Sequence, residues 1–210
     1  MDQDAAKKAA GTYAAGLVDS HMRIGLGTGS TTAYALEAIG RRVREDGLRV
    51  EGVPTSYAAE RLARRYGIPL TSLDDGPHLD LALDGADEVS PDLDLIKGRG
   101  AAHSREKVVA AQAERFVVLA DPTKQVSRLG TSKPVPVEVL PMAASAVLDR
   151  LESLGAVPTL RMGQAKDGPV VTDDGHLVLD CAFGEIDAPE ALAATLSATP
   201  GVVEHGLFVG

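Results

Sequence analysis

The sequence predicts an α/β protein with an open, mainly parallel sheet, followed by a second, smaller α+β domain. Three observations lead to this prediction. Helical and strand-like segments alternate from residue 5 to about residue 130, a pattern typical of parallel strands joined by crossover helices. Three prolines then fall in the stretch LGTSKPVPVEVLP and indicate a domain boundary. Beyond them the segments follow the order β-α-β-β-α-β, that of a split βαβ, ferredoxin-like domain.

The first domain is predicted over residues 1–130. Its helices show apolar residues at helical spacing, as at Leu36, Ile39 and Val43, and its strands are short apolar runs. In sheets of this kind, ligands bind at the carboxyl ends of the strands. In chain order, the predicted elements are a helix over residues 4–20, the strand MRIGLG, the helix TTAYALEAIGRRVRE, the strand LRVEGVP, the helix SYAAERLARRYG, the strand LDLALD, the helix SREKVVAAQAE and the strand RFVVLA.

The second domain is predicted over residues 131–202, and the last strand, 203–210, has the alternative of returning to the first domain. Asp187 and Glu190 have the spacing of a capping box at the start of the last helix. In chain order, the predicted elements are the extended PVPVEV, a helix over residues 143–154, a strand near VPTLR, the hairpin-like VVTDDGHLVLD turning at Asp174 and Gly175, the helix APEALAATLSA and the strand GVVEHGLF.

The composition argues against several classes of partner. A net charge of −9 and an aromatic content of 3% disfavour nucleic-acid binding, which needs clustered cations and stacking surfaces. No apolar run approaches the length of a membrane span, and the N-terminus lacks the apolar core of a signal peptide. The single cysteine, Cys181, is expected in the core and fits a cytoplasmic location. The five histidines are scattered without metal-ligand spacing, so no metal site is predicted.

The segment GLGTGSTT lies between a predicted strand and a predicted helix. Its glycines allow a tight turn, and Ser30, Thr31 and Thr32 add hydroxyls where free helix N–H groups point outward. It lacks the Gly-Lys-Ser/Thr of a P-loop and the last glycine of the dinucleotide fingerprint. The segment therefore predicts a cradle for a phosphate or a carboxylate, with a plain helix cap as the alternative.

Acidic residues follow the strand in LDLALDGADEV. Asp84 and Asp87 are close enough in sequence to share a confined site, where two carboxylates raise at least one pKa toward neutrality and enable proton transfer. The alternative is a pair of turn-forming aspartates. Glu88 is interpreted as a surface charge.

Two lysines and a further acid complete the inventory. Lys97, set between apolar residues and two glycines, offers a fixed cation beside developing negative charge. Ser104 is expected to cap the next helix and to place Glu106 in its first turn, either as a base or as a charge that favours the helix dipole. Lys124 follows Asp121 at the end of a strand and is placed to reach a ligand's anionic end. Together these groups suit proton transfer on a small phosphorylated carbonyl compound.

Six segments, in order and spacing, resemble the A-type ribose-5-phosphate isomerase family: GLGTGSTT, DGADEV, KGRGAA followed by SREK, LADPTKQV, PVPVEVLPMA and GVVEHGLF. The resemblance covers nearly the whole chain. DGADE with the downstream lysine loop and REK is specific in combination, whereas the glycine loop is shared more widely. The resemblance implies a Rossmann-like domain with a smaller α+β domain, a homodimer or dimer of dimers, and cofactor-free interconversion of D-ribose 5-phosphate and D-ribulose 5-phosphate through an enediolate.

The resemblance also implies a role for each matching residue. Glu106 is the catalytic carboxylate, with Asp84, Asp87 and Lys97 as the other catalytic groups. Lys124 is expected near the phosphate, although the sequence leaves open which end of the sugar it faces. Arg99 and Ala101 stand where the family usually has a glycine-richer loop. The residues implied to bind substrate are Thr28, Gly29, Ser30, Thr31, Gly85, Ala86, Gly98, Arg99, Gly100 and Lys124.

Two other functions stay open at the level of sequence. A sugar-phosphate sensor of related fold would normally carry a DNA-binding unit, and this chain has neither a spare domain nor a basic face. A transferase of the coenzyme A class would acylate a glutamate, and the full DGADE, lysine and REK set disfavours it.

Overall fold

The fold was described from a computed structural model covering residues 2–210, so residue 1 of the predicted first domain lies outside the described residues. The structure is α/β, with a parallel sheet and a separate antiparallel sheet. In chain order the helices and strands are α1 (Gln3–Ala15), β1 (Arg23–Leu26), α2 (Ser30–Glu45), β2 (Glu51–Pro54), α3 (Tyr57–Tyr66), β3 (Leu81–Gly85), β4 (Glu88–Val89), β5 (Leu95–Ile96), α4 (His103–Ala111), β6 (Phe116–Leu119), β7 (Val135–Val139), α5 (Ala144–Ser153), β8 (Val157–Leu160), β9 (Leu177–Ala182), α6 (Pro189–Ser197), β10 (Val202–His205) and β11 (Leu207–Phe208).

The chain forms two compact units that are interleaved in sequence. The first unit comprises the chain up to Gly85 together with Arg105–Thr123, and the second comprises Ala86–Ser104 together with Lys124–Gly210. One boundary between the units therefore falls inside α4. The domain boundary predicted from the sequence falls after residue 130 instead, and those domain limits stay a prediction.

The first unit is a four-stranded parallel sheet in the order β2-β1-β3-β6. Successive residues of β3 join different apolar clusters: Leu81 and Leu83 pack with residues of α1 and α2, whereas Ala82 packs with Val109 of α4. A strand that is buried on both faces has apolar residues at successive positions. This explains why LALD does not alternate between apolar and polar residues. The predicted open parallel sheet is confirmed.

Helix ends in the first unit follow local chemistry. The Ser56 hydroxyl accepts a hydrogen bond from the Ala59 N–H (3.0 Å) at the start of α3, and Gly67 ends that helix with a φ of 74°. Helix α1 ends at Ala15, five residues before the predicted end at residue 20, and Gly16 is its C-cap.

The second unit contains a four-stranded antiparallel sheet in the order β10-β7-β9-β8. With α5 and α6 this is the β-α-β-β-α-β arrangement expected for the smaller domain. Val135, Val137 and Val139 of the central strand β7 pack into a core with Leu151 of α5 and Leu196 of α6. Cys181 lies in the same core, as predicted, and burial raises the pKa of its thiol to about 12.

A second, three-stranded sheet in the order β11-β5-β4 also belongs to this unit and was not predicted from the sequence. Each of its strands has two residues, too short for a detectable alternation. The predicted final strand is in fact two strands separated at Gly206. Before Gly206, β10 pairs with β7, and after it, β11 pairs with β5.

Two local predictions in the second unit are wrong. Helix α6 has Ala188 at its N-cap with no side-chain cap, because the Asp187 carboxylate accepts a hydrogen bond from Arg128 instead. Helix α4 begins at His103, so Ser104 lies inside the helix, where its hydroxyl bonds to the Glu138 carboxylate. Among residues 2–210, no helix is both long enough and apolar enough to cross a membrane.

Candidate active site

In the first unit, Asp84 holds the glycine loop, which we define as residues 27–30, from the end of β1 to the first residue of α2. Its Oδ1 accepts hydrogen bonds from the backbone N–H groups of Thr28 (3.1 Å) and Gly85 (2.7 Å). Asp84 is 3% exposed. A Cβ atom at Gly27 would lie 2.3 Å from the Asp84 Cγ, so the carboxylate can reach the loop only because residue 27 is glycine.

Hydroxyl groups secure the same loop from its other side. The Thr28 Oγ1 lies 2.9 Å from the Thr55 Oγ1 and 2.6 Å from the Ser56 Oγ, which also caps α3. Gly29 has a φ of 134°, a backbone conformation that favours glycine, and it directly precedes α2. Gly29 and Ser30 are exposed at the N-terminus of this helix, where N–H groups attract anions.

Glu106 lies in the first turn of α4, as predicted, and is 5% exposed. An acid whose only role is to interact with the helix dipole usually remains exposed to water. The burial of Glu106 is therefore unusual for that role. The same helix places Arg105 with its guanidinium 5.0 Å from the centre of the Tyr57 ring. Burial favours the functional reading of Glu106 over the surface alternative.

In the second unit, the lysine loop (residues 97–100) follows β5. Lys97 is 2% exposed, and its Nζ lies 5.4 Å from the centre of the Phe208 ring, a cation–π contact. Its backbone N–H donates to the Gly206 carbonyl (2.8 Å). A Cβ at Gly206 would lie 2.1 Å from the Lys97 carbonyl oxygen, so the two backbones meet where no side chain fits.

Asp87 belongs to the same unit as the lysine loop and binds it directly. Its Oδ2 accepts a hydrogen bond from the Arg99 N–H at 3.0 Å. Gly98 has a φ of 110° and is packed against His103, whose Nδ1 would lie 2.7 Å from a Cβ at residue 98. Ala101, which stands in a position that the family resemblance marks as glycine-rich, has a φ of 57°. The loop therefore keeps a left-handed turn without a glycine there.

The remaining predicted residues occupy simpler surroundings. Lys124 ends a short 3-10 turn that begins at Pro122, and it is half-buried, as are Ala86 and Gly85, whereas Arg99 and Gly100 are exposed. Asp121 of the first unit accepts hydrogen bonds from the Thr123 hydroxyl and from the Thr123 N–H (2.9 Å). These two contacts are those of a turn-forming aspartate, and the Gln3 Nε2 at the start of α1 also donates to the Asp121 Oδ2 (3.4 Å).

The prediction that Glu88 is a surface charge is wrong. Glu88 is fully buried, and its two carboxylate oxygens accept hydrogen bonds from the N–H groups of Gly130 (2.6 Å), Ser132 (2.6 Å) and Lys133 (2.7 Å) and from the Ser132 hydroxyl (2.8 Å). A carboxylate with this many donors can be buried because the N–H groups replace its hydration. The segment before β7 folds over β4 to supply them.

Sequence reasoning also missed Arg161, at the end of β8. Its guanidinium pairs with the Asp180 carboxylate and donates to two carbonyl oxygens of the lysine loop. A lone arginine in VPTLRMG carries no local signal of this contact, because its partners lie about 60 residues earlier in the chain. Among residues 2–210, no group of three or more histidine, cysteine, aspartate or glutamate side chains could hold a metal ion.

Comparisons with known proteins place the chain in a family. The sequence model of ribose 5-phosphate isomerase A (phosphoriboisomerase A) matches residues 51–210. The chain is 61% identical over 207 residues to ribose-5-phosphate isomerase A of Haloarcula marismortui, covering 99% of this chain and 89% of the relative. It is 53% identical over 213 residues to the protein of the same name from Thermosynechococcus vestitus, covering all of this chain and 90% of that relative.

Solved structures agree. Ribose 5-phosphate isomerase A from Methanocaldococcus jannaschii superimposes with a TM-score of 0.96 at 43% identity, over 100% of this chain and 92% of that chain. A D-ribose-5-phosphate isomerase in complex with phospho-erythronic acid gives a TM-score of 0.97 at 45% identity, with the same coverage. The predicted combination of a parallel-sheet domain with a smaller α+β domain is therefore confirmed. The chain belongs to the ribose 5-phosphate isomerase A family.

Proposed function

We propose that this chain interconverts D-ribose 5-phosphate and D-ribulose 5-phosphate through an enediolate, as an aldose–ketose isomerase. Family membership supports the reaction, and the relative that holds phospho-erythronic acid supports a sugar phosphate as ligand. Within the chain, the observation that carries the proposal is the burial of Glu106 in the first turn of α4. A carboxylate shielded from water suits proton transfer to and from carbon.

Glu106 is the proposed base. In the open-chain aldose the C2 proton is acidic because the adjacent carbonyl accepts the charge. Glu106 takes this proton, which leaves the enediolate, and then returns it to C1, which yields the ketose. One carboxylate thus serves as base and then as acid, and no oxidant or reductant is needed.

Lys97 and the backbone N–H groups of the lysine loop are the proposed stabilisers of the enediolate oxygens. Lys97 is almost fully buried, and a fixed cation acts more strongly on developing charge where water is excluded. Asp84 and Asp87 are proposed to open the furanose ring and to move protons between O1 and O2. Their roles rest on the family resemblance, since each also holds a loop through a backbone N–H group.

The remaining predicted residues are proposed to bind substrate. The N–H groups of the exposed residues Gly29 and Ser30, at the start of α2, suit an anionic group, and Thr31 lies in the same turn. Half-buried Lys124 supplies a cation for the phosphate. Thr28, Gly85, Ala86, Gly98, Arg99 and Gly100 complete the proposed set.

We also propose that the reaction needs no metal or organic cofactor, because the side chains named above supply both acid and base. Purified protein incubated with ribose 5-phosphate and EDTA should form ketopentose. A strict requirement for an added metal ion would contradict the cofactor-free mechanism. From the family resemblance we further propose a homodimer or tetramer, which the mass of the protein in solution would test. We also propose a cytoplasmic location.

The replacement Glu106→Gln tests the base directly. It removes the proton-accepting oxygen but keeps the size of the side chain, so folding and substrate binding should persist. Turnover should fall by about 10²–10⁴-fold, the usual contribution of a positioned general base. The steady-state kcat, with the substrate dissociation constant from calorimetry, checks both expectations.

Glu37→Gln is the matched control, because Glu37 is exposed on α2 of the same unit. It should turn over at the normal rate. A Glu106→Gln protein with near-normal kcat would remove Glu106 from the base role.

A further inference from the structure

The lysine loop is held by a side chain that lies far from it in sequence. Arg161 follows β8, and its side chain is 15% exposed. Its Nη1 donates to the carbonyl oxygens of Gly98 (2.9 Å) and Arg99 (3.0 Å). One nitrogen therefore binds two successive carbonyls of the loop, each with one of its two hydrogens.

Asp180 of β9 fixes the orientation of this guanidinium. Its Oδ2 accepts from the Arg161 Nε at 2.9 Å, and its Oδ1 accepts from Nη2. Such a two-point pair sets the plane of the arginine side chain, because guanidinium and carboxylate are both flat. With Nε and Nη2 occupied, Nη1 is directed at the loop. Lysine could not reproduce this geometry, since its ammonium has no fixed plane.

The hydrogen bonds lock individual peptide planes. The peptide between Gly98 and Arg99 is bound at both edges: its C=O accepts from Arg161 and its N–H donates to the Asp87 carboxylate. The next peptide has its C=O bound by Arg161. Because C=O and N–H point in opposite directions in a trans peptide, this contact also sets the direction of the Gly100 N–H.

We propose that Arg161, oriented by Asp180, is a positioning residue for the isomerase reaction. It presets the lysine loop so that the Gly100 N–H, among the proposed substrate-binding groups, needs no reordering when substrate arrives. A loop ordered in advance binds and stabilises charge without the entropy loss of ordering it. The inference rests on the proposed role of the lysine loop in the reaction.

Arg161→Lys tests the inference. The variant keeps the positive charge but loses the two-carbonyl contact. Amide hydrogen exchange at residues 99–101 of the unliganded protein should quicken by about 10-fold or more, the factor expected from losing hydrogen bonds to a charged group. The kcat/KM should fall by about 10-fold, because the enzyme must order the loop in each turnover. The midpoint of thermal unfolding should shift little by comparison.

Arg128→Lys is the matched control, since Arg128 of the same unit is exposed and pairs with Asp187 without contacting the loop. It should leave both loop exchange and kinetics unchanged. Asp180→Asn retains Arg161 but removes the charge that orients it, and should quicken loop exchange in the same direction as Arg161→Lys.

The inference is overturned if folded Arg161→Lys keeps the normal loop exchange, or if loop exchange quickens while kcat/KM stays normal. Should Arg161→Lys fail to fold, Asp180→Asn decides by the same two readouts. In the unchanged protein, exchange at residues 99–101 as fast as in an unstructured peptide would also overturn it. Loop exchange is measured without substrate, so it is separable from any failure of the proposed reaction itself.

Discussion

The glycine loop and the lysine loop are held in place in different ways, although both are proposed to bind substrate. The glycine loop joins a strand to a helix, and the carboxylate that secures it, Asp84, ends the adjacent strand of the same parallel sheet. The lysine loop leaves a two-residue strand, and its shape depends on Asp87, Arg161 and the backbone at Gly206. Side chains at the carboxyl ends of neighbouring parallel strands hold the first loop, whereas groups from three separate segments of the second unit hold the second.

Because Asp84 lies in a loop contact of this kind, its structural role can be tested apart from its proposed catalytic role. Asp84 is proposed to transfer protons while it also holds a loop, so its two duties can be separated by substitution. Asparagine keeps an oxygen that can accept from Thr28 and Gly85, whereas alanine removes both the charge and the acceptor. In the lysine loop, no single substitution separates proton transfer from holding the loop in this way, because several groups hold that loop together.

The largest expected effect tests this separation. Asp84→Asn and Asp84→Ala should each lower kcat by about 10²–10⁴-fold, because both lose the group that exchanges protons. Only Asp84→Ala should quicken amide exchange in the glycine loop, which mass spectrometry of residues 27–30 would follow. Asp46→Ala, at the exposed end of α2, serves as control and should behave normally. Slow loop exchange in Asp84→Ala would show that the carboxylate does not hold the loop.

A smaller effect is expected at Glu88, which secures β4, the partner of the strand that leads into the lysine loop. Glu88→Ala leaves three backbone N–H groups and the Ser132 hydroxyl without their acceptor, so the free energy of unfolding should fall by about 3 kcal/mol. Urea denaturation measures it. Glu152→Ala, on the exposed side of α5, should change stability by no more than about 0.5 kcal/mol. Equal stabilities in the two variants would show that the hydrogen bonds to Glu88 do not stabilise the fold.

The smallest expected effect concerns the glycine loop itself. Gly27→Ala forces a methyl group to within 2.3 Å of the Asp84 Cγ, and the resulting shift should cost about 2 kcal/mol of unfolding free energy. Gly85→Ala is the matched comparison, since its methyl would meet nothing nearer than 3.8 Å. That variant should stay within about 1 kcal/mol of the original stability. If Gly27→Ala were equally stable, the close approach of loop and carboxylate would be less restrictive than the structure indicates.

The same contrast explains what the sequence could and could not predict. The parallel sheet and the position of Glu106 follow from apolar spacing and local chemistry, which act over a few residues. The β-α-β-β-α-β order of the smaller sheet is also visible in the spacing of its apolar segments. The roles of individual site residues came from the family resemblance and remain predictions.

The errors share a different cause. Glu88 looked like a surface charge because its donors lie more than 40 residues later, and Ser104 looked like a cap because its actual partner is Glu138. Arg161 was passed over for the same reason. The short strands β4, β5 and β11 carry too few residues for any periodicity. A buried charge is recognisable only when the groups that satisfy it are known, and these come from distant parts of the chain.

Gly206 gives the second unit a property that neither of its sheets would have alone. At this residue one strand leaves the four-stranded sheet, where β10 pairs with β7, and joins the three-stranded sheet, where β11 pairs with β5. Strands of two residues would fray if they formed an isolated sheet. Gly206 is also bonded to both sides, because its N–H donates to the Pro136 carbonyl of β7 (2.7 Å) and its carbonyl accepts from the Lys97 N–H (2.8 Å). We therefore expect the backbone at Lys97 to lose its hydrogen bonds together with the four-stranded sheet, and not before it.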